Sequence, residues 1–157
     1  MSMRLDGPHV YEMEFNATTF SIRKDGQDHR FSGRACGSEP KLYLFGWEHR
    51  ALYIGVTKQA IRTRLRLGWK ADGSGGYRGY ALRNHRTSAE LYIWYLENVP
   101  SGKDPKLEIE TIEAEVAYLV RSRGQWPIFQ TEIHFHQSNK IHRKLAEQIL
   151  SALPETP

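Results

Sequence analysis

Tyr43 and Tyr53 stand ten residues apart, in two short apolar runs, Leu42–Phe45 and Ala51–Ile54, separated by the polar segment 46–50. Runs joined this way predict an antiparallel hairpin, which brings the two phenols within one cross-strand or diagonal neighbour of each other. Gly55 follows, and then a helix expected over 58–67, with Ile61 and Leu65 one turn apart on its buried stripe and Arg62, Arg64 and Arg66 around it. Two phenols and a guanidinium beside a cationic surface suit phosphodiester hydrolysis. A phenol can relay or accept the nucleophile's proton, and a guanidinium can hold a non-bridging oxygen as charge accumulates on it. Such a site needs a metal, and an acidic helix expected over 107–123 can supply a carboxylate for one Mg2+. Helix geometry leaves the choice of side chains open. At about 100° per residue, Arg64 and Arg62 flank their buried stripe by about 80° on either side, and Glu115 and Glu113 flank theirs almost as evenly.

The cations lie next to these residues. The 157-residue chain carries a formal net charge of +4. Residues 58–86 alone hold eight basic side chains against Asp72, a local charge of +7, and residues 87–120 reverse to −5. That basic block is the footprint a phosphate backbone favours, and Trp69, Tyr77 and Tyr80 interleave it as stacking surfaces. Lys58, Arg62, Arg66, Lys70, Arg78 and Arg83 are the side chains expected to position nucleic acid without reading its sequence.

The rest of the sequence has to build a scaffold for these groups. With 39% hydrophobic and 11% aromatic residues the chain can bury a core, and one cysteine, Cys36, excludes an internal disulfide framework and a cysteine-built zinc site. No apolar run reaches the roughly 18 residues of a spanning helix, and Met1–Pro8 lacks the apolar region of a signal peptide. The expectation is a soluble, cytoplasmic protein with no membrane partner. Residues 10–23 alternate as a peripheral hairpin around Asn16, with Lys24-Asp25-Gly26 as a further turn. A short helix over 77–84, a strand over 89–96, an extended segment over 128–135 and a closing helix over 139–150 complete the reading. This is an α+β fold: a small central, mainly antiparallel sheet flanked by helices. Residues 1–40 form an N-terminal hairpin extension, 41–135 the core and 136–157 a C-terminal helix.

Tyr53-Ile54-Gly55 reproduces the second half of the GIY-YIG nuclease signature, and Lys41-Leu42-Tyr43 occupies the place of the first half at the family's spacing. Residues 53–65 resemble the family's strand-into-helix segment with its arginine. Glu115-Val116-Ala117-Tyr118-Leu119-Val120 is similar to the later helix whose glutamate binds the metal. The resemblance covers roughly residues 41–135. It implies a DNA endonuclease dependent on Mg2+ or Mn2+, with Tyr43 and Tyr53 sharing general-base and hydrogen-bonding roles. It favours Arg64 as the group that stabilises the transition state and Glu115 as the metal ligand, with Arg62 and Glu113 next in line. It also implies that a homodimer or a partner subunit supplies specificity. The chain departs from the family where Lys41 and Leu42 replace Gly and Ile, and where 126–132 lacks the family's asparagine, leaving Gln130 as the substitute hydrogen-bond former. Two other readings stand beside this one: a module of the same fold that holds nucleic acid without cutting it, which the missing asparagine supports, and a histidine-based metallohydrolase using His134 and His136, which alternate with Glu132 onto one strand face.

Overall fold

Leu42, Tyr43, Leu44 and Phe45 are all buried, and so is every residue from Leu91 to Leu96. Successive strand residues point to opposite faces, so strands apolar at every position lie inside a sheet covered on both sides. The computed structural model, which describes residues 2–48, 50–124 and 137–154, has that arrangement. Its strands are β1 (Arg4–Phe15), β2 (Phe20–Lys24), β3 (Gln27–Asp28), β4 (Lys41–Trp47), β5 (Arg50–Thr57) and β6 (Ser88–Glu97). They form one sheet in the order β3-β2-β1-β6-β4-β5, antiparallel at every pairing. The helices are α1 (Ile61–Lys70), α2 (Pro105–Ser122) and α3 (Lys140–Ser151). One face of the sheet packs Leu42, Leu44, Ile54 and Trp94 against Ile109, Ile112 and Val116 of α2 and Leu145 and Ile149 of α3. The other packs Tyr43, Phe45, Ile93 and Tyr95 with Ile61, Leu65 and Trp69 of α1.

Local chemistry sets most of the boundaries. Asn16 Oδ1 accepts from the backbone N–H groups of Thr18 and Thr19, both at 2.9 Å, and so closes the β1–β2 turn. Asp25 and Gly26 both take positive φ, 54° and 77°, as a two-residue hairpin turn requires. Asp104 caps α2 by accepting from the Lys106 amide at 3.0 Å, with Pro105 in the first helical position. Asn139 caps α3 through the amides of Ile141 and His142.

Three elements differ from the sequence expectation. The hairpin over 10–23 is there, but β1 begins at Arg4 and pairs along its length with β6, so it is an interior strand rather than a peripheral one. Helix α1 starts at Ile61, since Gln59 donates its amide to Thr57 Oγ1 at 3.0 Å and residues 58–60 form the connection. The helix over 77–84 shrinks to a 3-10 turn at Ala81–Asn84, because Gly79 turns the chain with φ 71°. The extended segment over 128–135 lies outside the described residues. No helix among the described residues is long and apolar enough to cross a membrane.

Candidate active site

The β4–β5 register sets Tyr43 opposite Gly55 and Phe45 opposite Tyr53. Tyr43 and Tyr53 are therefore diagonal neighbours on one face, with ring centroids 6.0 Å apart. A Cβ on Gly55 would come within 2.6 Å of Tyr43 Cζ and Oη, so the Tyr43 ring lies across backbone that only glycine leaves clear. A second glycine does the same on α1, where a Cβ on Gly68 would meet the Tyr80 ring at 2.0 Å. Tyr80 enters through that gap. Its hydroxyl is 2.8 Å from the Tyr43 hydroxyl, and its ring is 5.2 Å from Tyr53. The Arg64 guanidinium completes the cluster, 5.4 Å from the centre of the Tyr80 ring and 5.3 Å from that of Tyr77. The structure thus brings Tyr43, Tyr53 and Arg64 together and adds Tyr80, which the sequence marks only as an inward or stacking aromatic. The signal for it is Gly68, one turn above Arg64 on the same helix.

Burial raises the pKa of all three phenols, and the Arg64 charge works against that rise in each. At neutral pH the cluster holds three neutral hydroxyls beside one cation.

The acidic helix presents its two candidates differently. Glu113 is buried at 7% exposure. Burial first, and then the neighbouring Glu110, pushes its carboxyl up to about 8, and its charge acts on Tyr53. Glu115 lies about 200° round the helix and accepts a hydrogen bond from the Ser138 hydroxyl, just ahead of α3. The carboxylate electrostatically linked to the phenols is thus Glu113.

Among the described residues no group of three or more His, Cys, Asp or Glu side chains is placed to hold a metal together. Mg2+ is commonly held by one or two carboxylates, with water and substrate phosphate completing its shell. Glu113 fits that mode of binding. A carboxyl kept protonated by burial and an acidic neighbour is one that a nearby cation would ionise.

The cations of 58–86 fall into distinct settings. Lys58, Arg62, Arg66, Lys70 and Arg78 are exposed. Arg83 donates to the carbonyls of Gly68 and Ala71, the latter at 2.7 Å, and clamps the end of α1. Arg86 lies 4.7 Å over the Trp47 ring. Lys41 is fully buried. Its ammonium donates to the carbonyls of Gly37 at 2.9 Å and Gln59 at 2.8 Å, tying the entry of β4 to the approach of α1. Gln130, Glu132, His134 and His136 lie outside the described residues. Comparison of the chain with protein-family models, curated proteins and solved structures gives no match.

Proposed function

We propose that the chain is a metal-dependent DNA endonuclease that hydrolyses phosphodiester bonds at the Tyr43–Tyr53–Tyr80–Arg64 cluster, with Glu113 as its carboxylate. The observation that carries this reading is the convergence of three phenols and one guanidinium from four separate segments, beside a surface of exposed cations. Arg64 is placed to hold a non-bridging oxygen as negative charge grows there. Tyr53 is the least buried phenol of the three. With its pKa raised it serves as a neutral hydrogen-bonding partner that orients the attacking water. Tyr43 and Tyr80 fix each other by their shared hydrogen bond, and so fix the wall against which Arg64 and Tyr53 rest. Glu113 would hold Mg2+ or Mn2+, which when bound supplies Lewis acidity at the scissile phosphate and a more acidic water. A cytoplasmic setting belongs to the same reading, as does a second copy or partner subunit that chooses the target.

Supercoiled plasmid incubated with Mg2+ or Mn2+ tests it. Nicking should fall by roughly 10²-fold or more in Arg64→Ala and Glu113→Gln and persist in Glu115→Gln. Absence of nicking with either metal, or full nicking by Arg64→Ala, refutes it. Complete burial of the Tyr43–Tyr80 hydroxyl pair favours a second reading, a binding module that does not cut. DNA binding without cleavage under either metal would establish that one.

A further inference from the structure

Helix α1 carries a second cationic stripe that the tyrosine cluster does not use. Arg62, Arg66 and Lys70 recur every four residues, about 6 Å apart along the axis. Arg62 and Arg66 each lie about 200° round the helix from Arg64. With Arg30 they rim a pocket of about 550 Å3 between α1 and the β2–β3 hairpin. Among the described residues none of these four cations is in an ion pair with a carboxylate. Among the described residues the one acid on the rim, Asp28, is 3.6 Å from Arg23, which offsets its charge.

The wall of the pocket is aromatic. Phe20, Phe31 and Trp69 line it. Phe20 and Phe31 are only partly buried, and so retain surface toward the opening. Trp69 is held in place by donating its indole N–H to the Asn16 carbonyl at 3.0 Å. Its ring lies 5.0 Å from Phe20 and 5.5 Å from Tyr80. One side chain thus connects this pocket to the tyrosine cluster. A cationic rim over an aromatic wall matches phosphate and an exposed base together, and a base paired within a duplex offers no free face to such a wall.

We propose that this pocket binds an unpaired nucleotide of a single-stranded DNA segment, with its base against Phe20 and Phe31 and its flanking phosphates on Arg30, Arg62 and Arg66. This rests on the DNA reading above and deepens it: the substrate has an unpaired stretch, such as a flap, gap or overhang, beside the bond to be cut.

Fluorescence anisotropy of the full chain with a labelled 12-nucleotide single strand, in EDTA so that no cleavage occurs, tests the assignment. The single strand should bind more tightly than a blunt duplex of the same length. Arg62→Ala/Arg66→Ala should flatten the slope of log K against log salt by about 1.4, since each phosphate contact on a single strand contributes about 0.7. Phe31→Leu should weaken binding roughly tenfold and leave that slope unchanged. Lys140→Ala/Arg143→Ala, which removes exposed cations of α3, should bind as the unmodified chain does. Equal affinity for the duplex, equal losses in the α3 variant, or displacement of the strand by an equal concentration of mononucleotide each overturn the proposal. Its failure is separable from that of the endonuclease reading. Loss of strand binding in the arginine variant, with no plasmid nicking by the unmodified chain, removes the nuclease and leaves the pocket. Nicking with unchanged strand binding in that variant does the reverse.

Discussion

Replacing Glu113 by Gln should change the way stability depends on pH relative to the unmodified chain. The Glu113 carboxyl is raised from 4.5 to about 8 in the folded protein, by burial and then by Glu110. The folded state therefore holds this proton more tightly than the unfolded state does. The stabilisation is complete below pH 4.5, is lost progressively as pH rises toward 8, and is gone above it. The rise from 4.5 to about 8, at about 1.4 kcal/mol per pH unit, amounts to about 5 kcal/mol, against a typical total stability of about 5–15 kcal/mol. Glutamine keeps the shape of the neutral carboxyl and cannot ionise. Urea unfolding of both proteins at intervals from pH 4 to pH 9 isolates the effect, because other titrating groups cancel in the difference. The Glu113→Gln variant should gain about 5 kcal/mol on the unmodified chain between pH 4 and pH 9, most of it between pH 5 and pH 8. Mg2+ should restore part of the loss at pH 9 in the unmodified chain and none in the variant. Profiles that stay parallel to within about 1 kcal/mol would refute the buried, protonated carboxyl, and equal effects of Mg2+ on both proteins would refute its part in a metal site.

Three further substitutions probe the scaffold. Gly55→Ala puts a methyl group 2.6 Å from the Tyr43 ring; overpacking of this kind costs about 1–3 kcal/mol, read as a lower Tm, and nicking should be lost with the displaced phenol. Tyr80→Phe keeps the ring and removes the partner of the Tyr43 hydroxyl; urea unfolding should show a loss of about 1–3 kcal/mol, and nicking should fall about tenfold. Asn139→Ala removes the α3 cap; it should cost about 1 kcal/mol in urea unfolding and leave nicking per folded molecule unchanged.

The parts of this structure legible in the sequence are those whose partners are close along the chain. Tyr43 and Tyr53 meet because a ten-residue spacing through one hairpin leaves little choice of register. The Ile61–Leu65 stripe of α1 and the long stripe of α2 are each visible within a single element. β1 reads as peripheral because its partner β6 is some eighty residues away, and its alternation is interrupted near Gly7-Pro8 by a register shift between Asp6 and His9. A helical wheel does not separate Glu113 from Glu115, since both flank the buried stripe. In the fold the two have different partners: Ser138 donates to Glu115, and the charge of Glu113 acts on Tyr53. Tyr80 depends on a longer chain of contacts: the gap at Gly68, the turn at Gly79 and the Arg83 clamp on the end of α1. None of these has a periodicity to read.

The eight cations of 58–86 also show why a charge count overstates a binding surface. Arg64 belongs to the phenols, Arg83 to the carbonyls ending α1, and Arg86 to the face of Trp47. Five are left exposed: Lys58, Arg62, Arg66, Lys70 and Arg78. At about 0.7 per contact with a single strand, eight phosphate contacts give a salt slope near about −5.6, and six, the five exposed cations with Arg64 on its non-bridging oxygen, give one near about −4.2. Adding Arg30 from the hairpin rim raises the second figure to about −4.9. Titrating single-strand affinity from low to moderate salt distinguishes these values. A slope steeper than about −5 would mean that Arg83 and Arg86 leave their partners to meet DNA, and the rigid division of labour along α1 would then be wrong.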